Sequence, residues 1–172
     1  MASRIVLLCV LAACTRTTLK RSAVDEFGGG DDFAKMDFWD EISTHRAVTN
    51  DDALHALALQ YSLPPAADHD GRVGMARTRG WVAADAELSG PETARAGWIA
   101  LAVCRESGVK GGLTMRVFGP SERYALNELN YRGWLPGMSA EQALSGLQLI
   151  ALLSKAEDAA SRRPDEPRED FK

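Results

Sequence analysis

Apolar residues along the chain recur at helical rather than strand spacing. Leu54, Leu57, Ala58 and Tyr61 stand at i, i+3, i+4 and i+7, which is one face of a helix. Similar apolar runs fill positions 98–103 and 147–153. Each run closes a repeated outline: a helical candidate, a Trp, a loop, a hydroxyl residue, then the apolar helix. The Trp and hydroxyl pairs are Trp39 and Thr49, Trp81 and Thr93, Trp134 and Ser145, separated by 10, 12 and 11 residues. This predicts an all-α body over residues 36–158, about six helices in three helix–loop–helix units. No unit can bury its own apolar face, so the three must pack together. The Trp side chains are then inward wedges, each burying ~150–250 Å². The alternative is a flat face on which a sugar stacks.

Helix punctuation supports the outline. Gly80 follows Arg77-Thr78-Arg79 and Gly133 follows Asn130-Tyr131-Arg132. Glycine after a basic last turn marks a helix C-terminus. Thr49 to Asp52, Ser145 to Gln148 and Ser89-Gly90-Pro91-Glu92 read as helix starts of the capping-box type. Asp70 is a candidate cap for a helix at about 71–79, and Gly119-Pro120-Ser121 breaks the chain before one at about 121–132. Residues 113–118 alternate partly like a strand and read as a short helix or turn between the second and third units.

The N-terminus differs in kind. Arg4 precedes the apolar stretch from Ile5 to Val10 and a small-residue exit, the pattern of a secretory signal. The stretch is too short to span a bilayer, which needs ~20 apolar residues. Leu11-Ala12-Ala13-Cys14 resembles the lipobox of bacterial lipoproteins. The resemblance implies cleavage before Cys14 and acylation of that residue, leaving residues 1–13 as signal peptide. Several acyl chains anchor a protein stably where one does not. It further implies a cell-envelope location, with Thr15 after the cysteine favouring the outer membrane of a diderm cell. Residues 14–35, polar and carrying Gly28-Gly29-Gly30, read as a flexible tether. Residues 159–172, with mixed charge and two prolines, read as a disordered tail.

Composition narrows the function. Ala (26) and Leu (19) far outnumber Val (9) and Ile (4), which favours helix. The net charge of −4 argues against a nucleic-acid partner. Of three cysteines, Cys9 leaves with the signal and Cys14 takes the lipid, so no intramolecular disulfide remains. Cys104 sits in an apolar run with no histidine near it in sequence, and reads as a buried small hydrophobe rather than a nucleophile.

Three helix–loop–helix units of about 50 residues, with an aromatic before the loop and a Ser or Thr opening the second helix, resemble S-layer homology repeats. In that family a Thr-Arg-Ala-Glu type motif opens the helix, and its Arg helps to bind cell-wall polysaccharide. The middle unit carries Thr93-Ala94-Arg95-Ala96, while the outer two have no Arg there. Arg95 is therefore the one position the resemblance carries over, and its plain reading is a solvated surface arginine. Trp81 and Trp134 are the further candidate ligand contacts, in grooves between units.

No metal or cofactor motif is present. Lys110-Gly111-Gly112 lacks the rest of a phosphate-loop pattern. Asp68-His69-Asp70 reads as a solvated loop, because adjacent residues cannot close a site alone. The leading expectation is a non-catalytic, membrane-anchored envelope lipoprotein that binds or scaffolds, with a cell-wall glycan or an envelope protein as partner. One alternative is an enzyme whose site assembles from scattered residues such as His69, Asp70 and Glu92. The other is a cytosolic helical adaptor.

Overall fold

The computed structural model describes residues 17–109 and 111–161, without the side chains of Leu113 and Thr114. The signal, the lipobox with Cys14, Lys110 and positions 162–172 lie outside the described residues. Eight helices are described: α1 (Ala23–Phe27), α2 (Asp32–Thr44), α3 (Asn50–Gln60), α4 (His69–Thr78), α5 (Ala96–Glu106), α6 (Leu113–Phe118), α7 (Glu122–Tyr131) and α8 (Gly146–Ser161). Pairing among the described residues outside helices is limited to isolated bridges, so the fold is all-α. Six helices follow the expected order along the chain, α2 then α3, α4 then α5, and α7 then α8, but the main packing is between these successive pairs rather than within them. The two beyond the expected six are α1 and α6, the latter being the ambiguous 113–118 segment.

The units close into a ring. The second helix of each packs on the first helix of the next, α3 on α4, α5 on α7, and α8 back on α2. A hub of backbone hydrogen bonds joins the starts of α3, α5 and α8. The first helical residue of each donates to the loop of the following unit: Asn50 N to Glu92 O at 2.8 Å, Ala96 N to Gln142 O at 2.8 Å, and Gly146 N to His45 O at 2.9 Å. Nearby, Val48 N donates to Leu144 O and Ala94 N to Val48 O, both at 2.9 Å. Helix N-termini carry N–H groups without intrahelical partners, and here neighbouring loops satisfy them. The result is a near threefold arrangement about the hub.

Local chemistry fixes most helix ends as expected. Thr49 and Asp52 form a reciprocal capping box on α3. Ser145 and Gln148 do the same on α8, with Ser145 N donating to Gln148 Oε1 and Gln148 N to Ser145 Oγ. Gly80 and Gly133 adopt left-handed φ values of 67° and 69°. The following Trp N–H groups close the helix ends, Trp81 on Ala76 O and Trp134 on Leu129 O.

The middle unit breaks the pattern. Arg95, not Thr93, is the N-cap of α5, and it makes no side-chain cap. Residues 89–92 form no helix start, because Glu92 and Thr93 are spent on backbone pairing with Thr18 and Thr49. The cap of α4 is Asp68 rather than Asp70.

Burial follows apolarity. The α5 residues from Ala96 to Cys104 are all buried, as suits a helix apolar on every side. On α8 the buried stripe is Leu149, Leu152, Leu153 and Ala156, again at i, i+3, i+4 and i+7. Trp81 is the inward wedge of its unit and is fully buried, as is Trp98 on α5. Trp134 is half-buried against the core. Trp39 lies within α2 rather than after it and is half-buried, while Phe38 beside it and Ile42 are the buried residues of that helix.

Residues 17–31 are not a loose spacer. Thr93 N donates to Thr17 O at 3.0 Å and Leu19 N to Pro91 O at 2.9 Å, adding an outer edge to the hub. Ser22, Ala23 and Val24 are buried. Ser22 Oγ and Val24 N both donate to Asp52 Oδ1, at 2.6 and 3.0 Å. The strap docks because the 91–93 backbone has an open edge and the buried Asp52 carboxyl needs donors. At the other end, α8 runs three residues past the expected boundary at 158.

Candidate ligand groove

Arg95 sits where two units meet. Its guanidinium grips both oxygens of Glu122, Nη1 to Oε2 at 3.1 Å and Nη2 to Oε1 at 3.3 Å. Nη1 also reaches Glu141 Oε1 at 3.1 Å. A forked arginine–carboxylate pair holds a fixed geometry. Its Nε is buried without a hydrogen-bond partner. Arg95 is thus not a free surface arginine: its side chain is 20% exposed.

Two of these partners, Glu122 and Glu141, line a groove of about 560 Å³ between α7 and the loop before α8. Arg123, Asn127 and Ser139 add polar groups, and Leu126 and Met138 add an apolar surface. The loop wall is fixed by Asn130, whose Nδ2 donates to Met138 O and whose Oδ1 accepts from Met138 N. Gly97 lets the start of α5 lie flush on this wall, since a Cβ there would meet Glu122 and Ala140. The size falls within the ~300–1,000 Å³ usual for ligand sites. Paired charges beside amide, hydroxyl and apolar groups suit a hydroxyl-rich ligand better than a strongly anionic one.

The other candidate contacts do not join Arg95. Trp81 has no exposed face and donates its Nε1–H to Glu106 Oε1 at 2.7 Å, near the C-terminus of α5. Its ring offers no stacking platform. Trp134 follows the C-terminus of α7, whereas Glu122 starts that helix, about 14 Å away along the axis. Lys155 Nζ donates to the Gly133 and Trp134 carbonyls. Of the expected trio, Arg95 stands behind the groove, bonded to two of its lining carboxylates without lining it itself, and the two Trp residues are packing residues. Glu122 and Glu141 were not singled out, because nothing local in the sequence links them to Arg95.

The equivalent joint between the first and second units carries reversed charges. His69 opens α4 as Glu122 opens α7, and its Nδ1 lies 2.8 Å from Asp51 Oδ1 on α3. Its Nε2 lies 2.8 Å from Leu88 O. Both partners are acceptors, so the arrangement favours the doubly protonated ring, in which both nitrogens donate. Arg72 Nε donates to the same Asp51 oxygen at 2.9 Å. Burial opposes the charged ring, but the hydrogen bond and charge of Asp51 outweigh it and raise the His69 pKa. Burial likewise opposes the Asp51 carboxylate, but Arg72 and His69 outweigh it and lower its pKa. His69 and Asp70 line a groove of about 360 Å³, and Glu92 is not among the residues lining it. The triad His69, Asp70 and Glu92 therefore does not converge there. His69 has no ring nitrogen left to exchange a proton without breaking a bond.

His55 contrasts with it. It is fully buried with neither ring nitrogen hydrogen-bonded, edge-on to Phe38 at 4.7 Å. Burial, with help from nearby Arg72, pushes its pKa down to about 4. The two histidines bend stability in opposite directions. The folded pKa of His55 lies below the ordinary ~6.5, so its neutral form loses ground as pH falls from about 6.5 towards 4, by about 3 kcal/mol in all. The folded pKa of His69 lies above the ordinary value, so its contribution is full below pH ~6.5 and fades as pH rises through the folded pKa. Thermal melts across pH 4–9 should therefore peak near pH 6.5. His55→Leu should flatten the acid limb and His69→Gln the basic limb; limbs that survive their substitution would contradict these roles.

Cys104 is buried, and burial pushes its thiol pKa up to about 12, as fits a core residue and not a nucleophile. Among the described residues no cluster of three or more His, Cys, Asp or Glu is placed to hold a metal ion. No described helix is long and apolar enough to cross a membrane. Comparison with family models, with curated proteins and with solved structures found no match to the chain.

Proposed function

We propose that this chain is a lipid-anchored protein of the bacterial cell envelope whose ring of three helical units is a non-catalytic binding module, with a hydroxyl-rich cell-wall glycan as ligand. The anchor reading rests on Arg4, the apolar stretch and Leu11-Ala12-Ala13-Cys14. The observation that carries the binding reading is the joint at Arg95. Its guanidinium pairs with Glu122 and Glu141, which themselves line a groove together with Asn127, Ser139 and Leu126. Sugar hydroxyls need both acceptors and donors held in place, and a charge-paired cluster supplies both without strong net charge. Resemblance to S-layer homology repeats supports the same ligand class, through Thr93-Ala94-Arg95-Ala96 and the three-unit outline.

Co-sedimentation of the purified protein with cell-wall sacculi from the source cells tests the binding. Wild type should be retained. Arg95→Ala should lose at least tenfold in affinity, while its melting temperature shifts only a few degrees, as expected of a partly exposed ion pair. No retention of wild type, or equal retention of both proteins, would overturn the glycan reading. Capture of a defined envelope protein through the same groove would replace the ligand class but keep the binding module.

A further inference from the structure

The strap at residues 17–24 sets how far the body can stand from a membrane. Thr17 is already hydrogen-bonded to Thr93, Thr18 is bridged to Glu92, and Leu19 is bonded to Pro91. Ser22 and Val24 are then locked onto Asp52 inside the fold. Only two residues, Thr15 and Arg16, separate Cys14 from Thr17, so Thr17 is three residue steps along the chain. Three fully extended residues span at most ~11 Å. A tether running to residue 35 would instead have allowed a reach several times longer.

Resting on the lipid-anchored reading, we infer that the hub end of the domain is seated directly on the lipid headgroups of the membrane that holds Cys14. The surface in question is the outer edge formed by residues 17–20 and 89–93. Thr17, Thr18 and Lys20 on the strap, and Ser89 and Pro91 on the body, are exposed there. The occupant follows from covalent reach: whatever holds the Cys14 acyl chains lies within ~11 Å of Thr17, about one Debye length. The orientation follows as well. Helices α3, α5 and α8 start at the hub, so their C-terminal ends point away from the bilayer. Asp158 lies twelve residues beyond the start of α8, about 18 Å further out. Arg95 is two residues from Thr93 and pairs with Glu122 and Glu141 of the groove, so the seating places the glycan groove on the membrane-proximal side of the body.

The test uses the full lipidated protein, purified from its native membrane and reconstituted into vesicles containing a headgroup-nitroxide phosphatidylcholine. Single fluorophores are placed at Ser89→Cys or Asp158→Cys; Cys104 is buried and labels poorly, and the thiol of Cys14 is taken by lipid. Quenching should be at least threefold stronger at position 89 than at 158. A ten-residue Gly/Ser insertion between Arg16 and Thr17, whose root-mean-square span is ~17 Å, should remove the difference. Protection of the Leu19 and Thr93 amides from hydrogen exchange checks that the insertion leaves the strap docked. Weak and equal quenching at both positions in lipidated protein would overturn the seating and leave the anchor intact. Recovery of the chain as an unlipidated soluble protein would instead defeat the anchor reading, and the seating with it.

Discussion

Asp52→Ala should lower the melting temperature by roughly 10 °C and release the N-terminal strap. Asp52 is fully buried and serves two functions. It completes the capping box of α3, with Thr49 N donating to its Oδ2 at 3.3 Å. It also receives Ser22 Oγ and Val24 N on Oδ1, holding residues 22–24 and α1 against the body. Alanine leaves three donors without their partner, each costing ~1–3 kcal/mol if it stays dry. Strap release would let water reach some of them, so the net loss should be about 3 kcal/mol, against a typical total of ~5–15. At ~2–4 °C per kcal/mol for a chain this long, that gives the stated shift. Asp52→Asn keeps an acceptor for Ser22 and Val24 but turns an amide donor towards Thr49 N, so it should lose less. Hydrogen exchange should show residues 17–27 opening in the alanine variant before the rest. A shift under 2 °C with the strap still protected would rule out this role.

Gly146→Ala should be the most damaging single-methyl change in the described fold. Gly146 is the first residue of α8, at the point where the ring closes. A Cβ there would meet the backbone of Ile42 and Ser43 on α2, not the end of a movable side chain. Gly146 N also donates to His45 O, so the two backbones cannot separate without losing a hub bond. Overpacking of this kind costs ~1–3 kcal/mol or more, and the backbone location puts it at the upper end. The cost should fall on the α2–α8 contact, exposing Leu149, Leu152 and Leu153. Denaturant melts with dye binding would show it. A variant as stable as wild type would mean that the ring does not close through Gly146.

Much of this architecture was legible in the sequence, and the reason differs by element. Gly80 and Gly133 marked two helix ends because a left-handed residue after a helix favours glycine. Thr49 with Asp52, and Ser145 with Gln148, marked two starts because a capping box is local chemistry. The start of α5, read from Ser89 by its capping-box pattern and from Thr93 by the repeat outline, lies at Arg95 because backbone pairing sets it, and pairing leaves no residue signature. The strap was missed for a related reason. Its anchor, Asp52, lies 30 residues from Ser22, and α1 is too short at five residues to show a period. The groove was half legible. Thr93-Ala94-Arg95-Ala96 drew attention to Arg95, but Glu122 and Glu141 lie 27 and 46 residues away and meet it only through the ring. His69 drew attention through its neighbours Asp68 and Asp70, whereas its partner is Asp51 on another helix.

The internal repetition gives the groove its meaning. At both open joints the first residue of a unit's leading helix grips the start of the preceding unit's second helix, His69 on Asp51 and Glu122 on Arg95. One fold thus builds two joints of opposite polarity. The joint at Arg95 has the larger groove, about 560 against 360 Å³.

The most direct test is the intact mass of the protein purified from its native membrane, beside a Cys14→Ala version. Expected is the loss of residues 1–13 together with an acyl increment on Cys14, both absent in the variant. An unprocessed, unlipidated mass in the soluble fraction would contradict the envelope location and every function built on it.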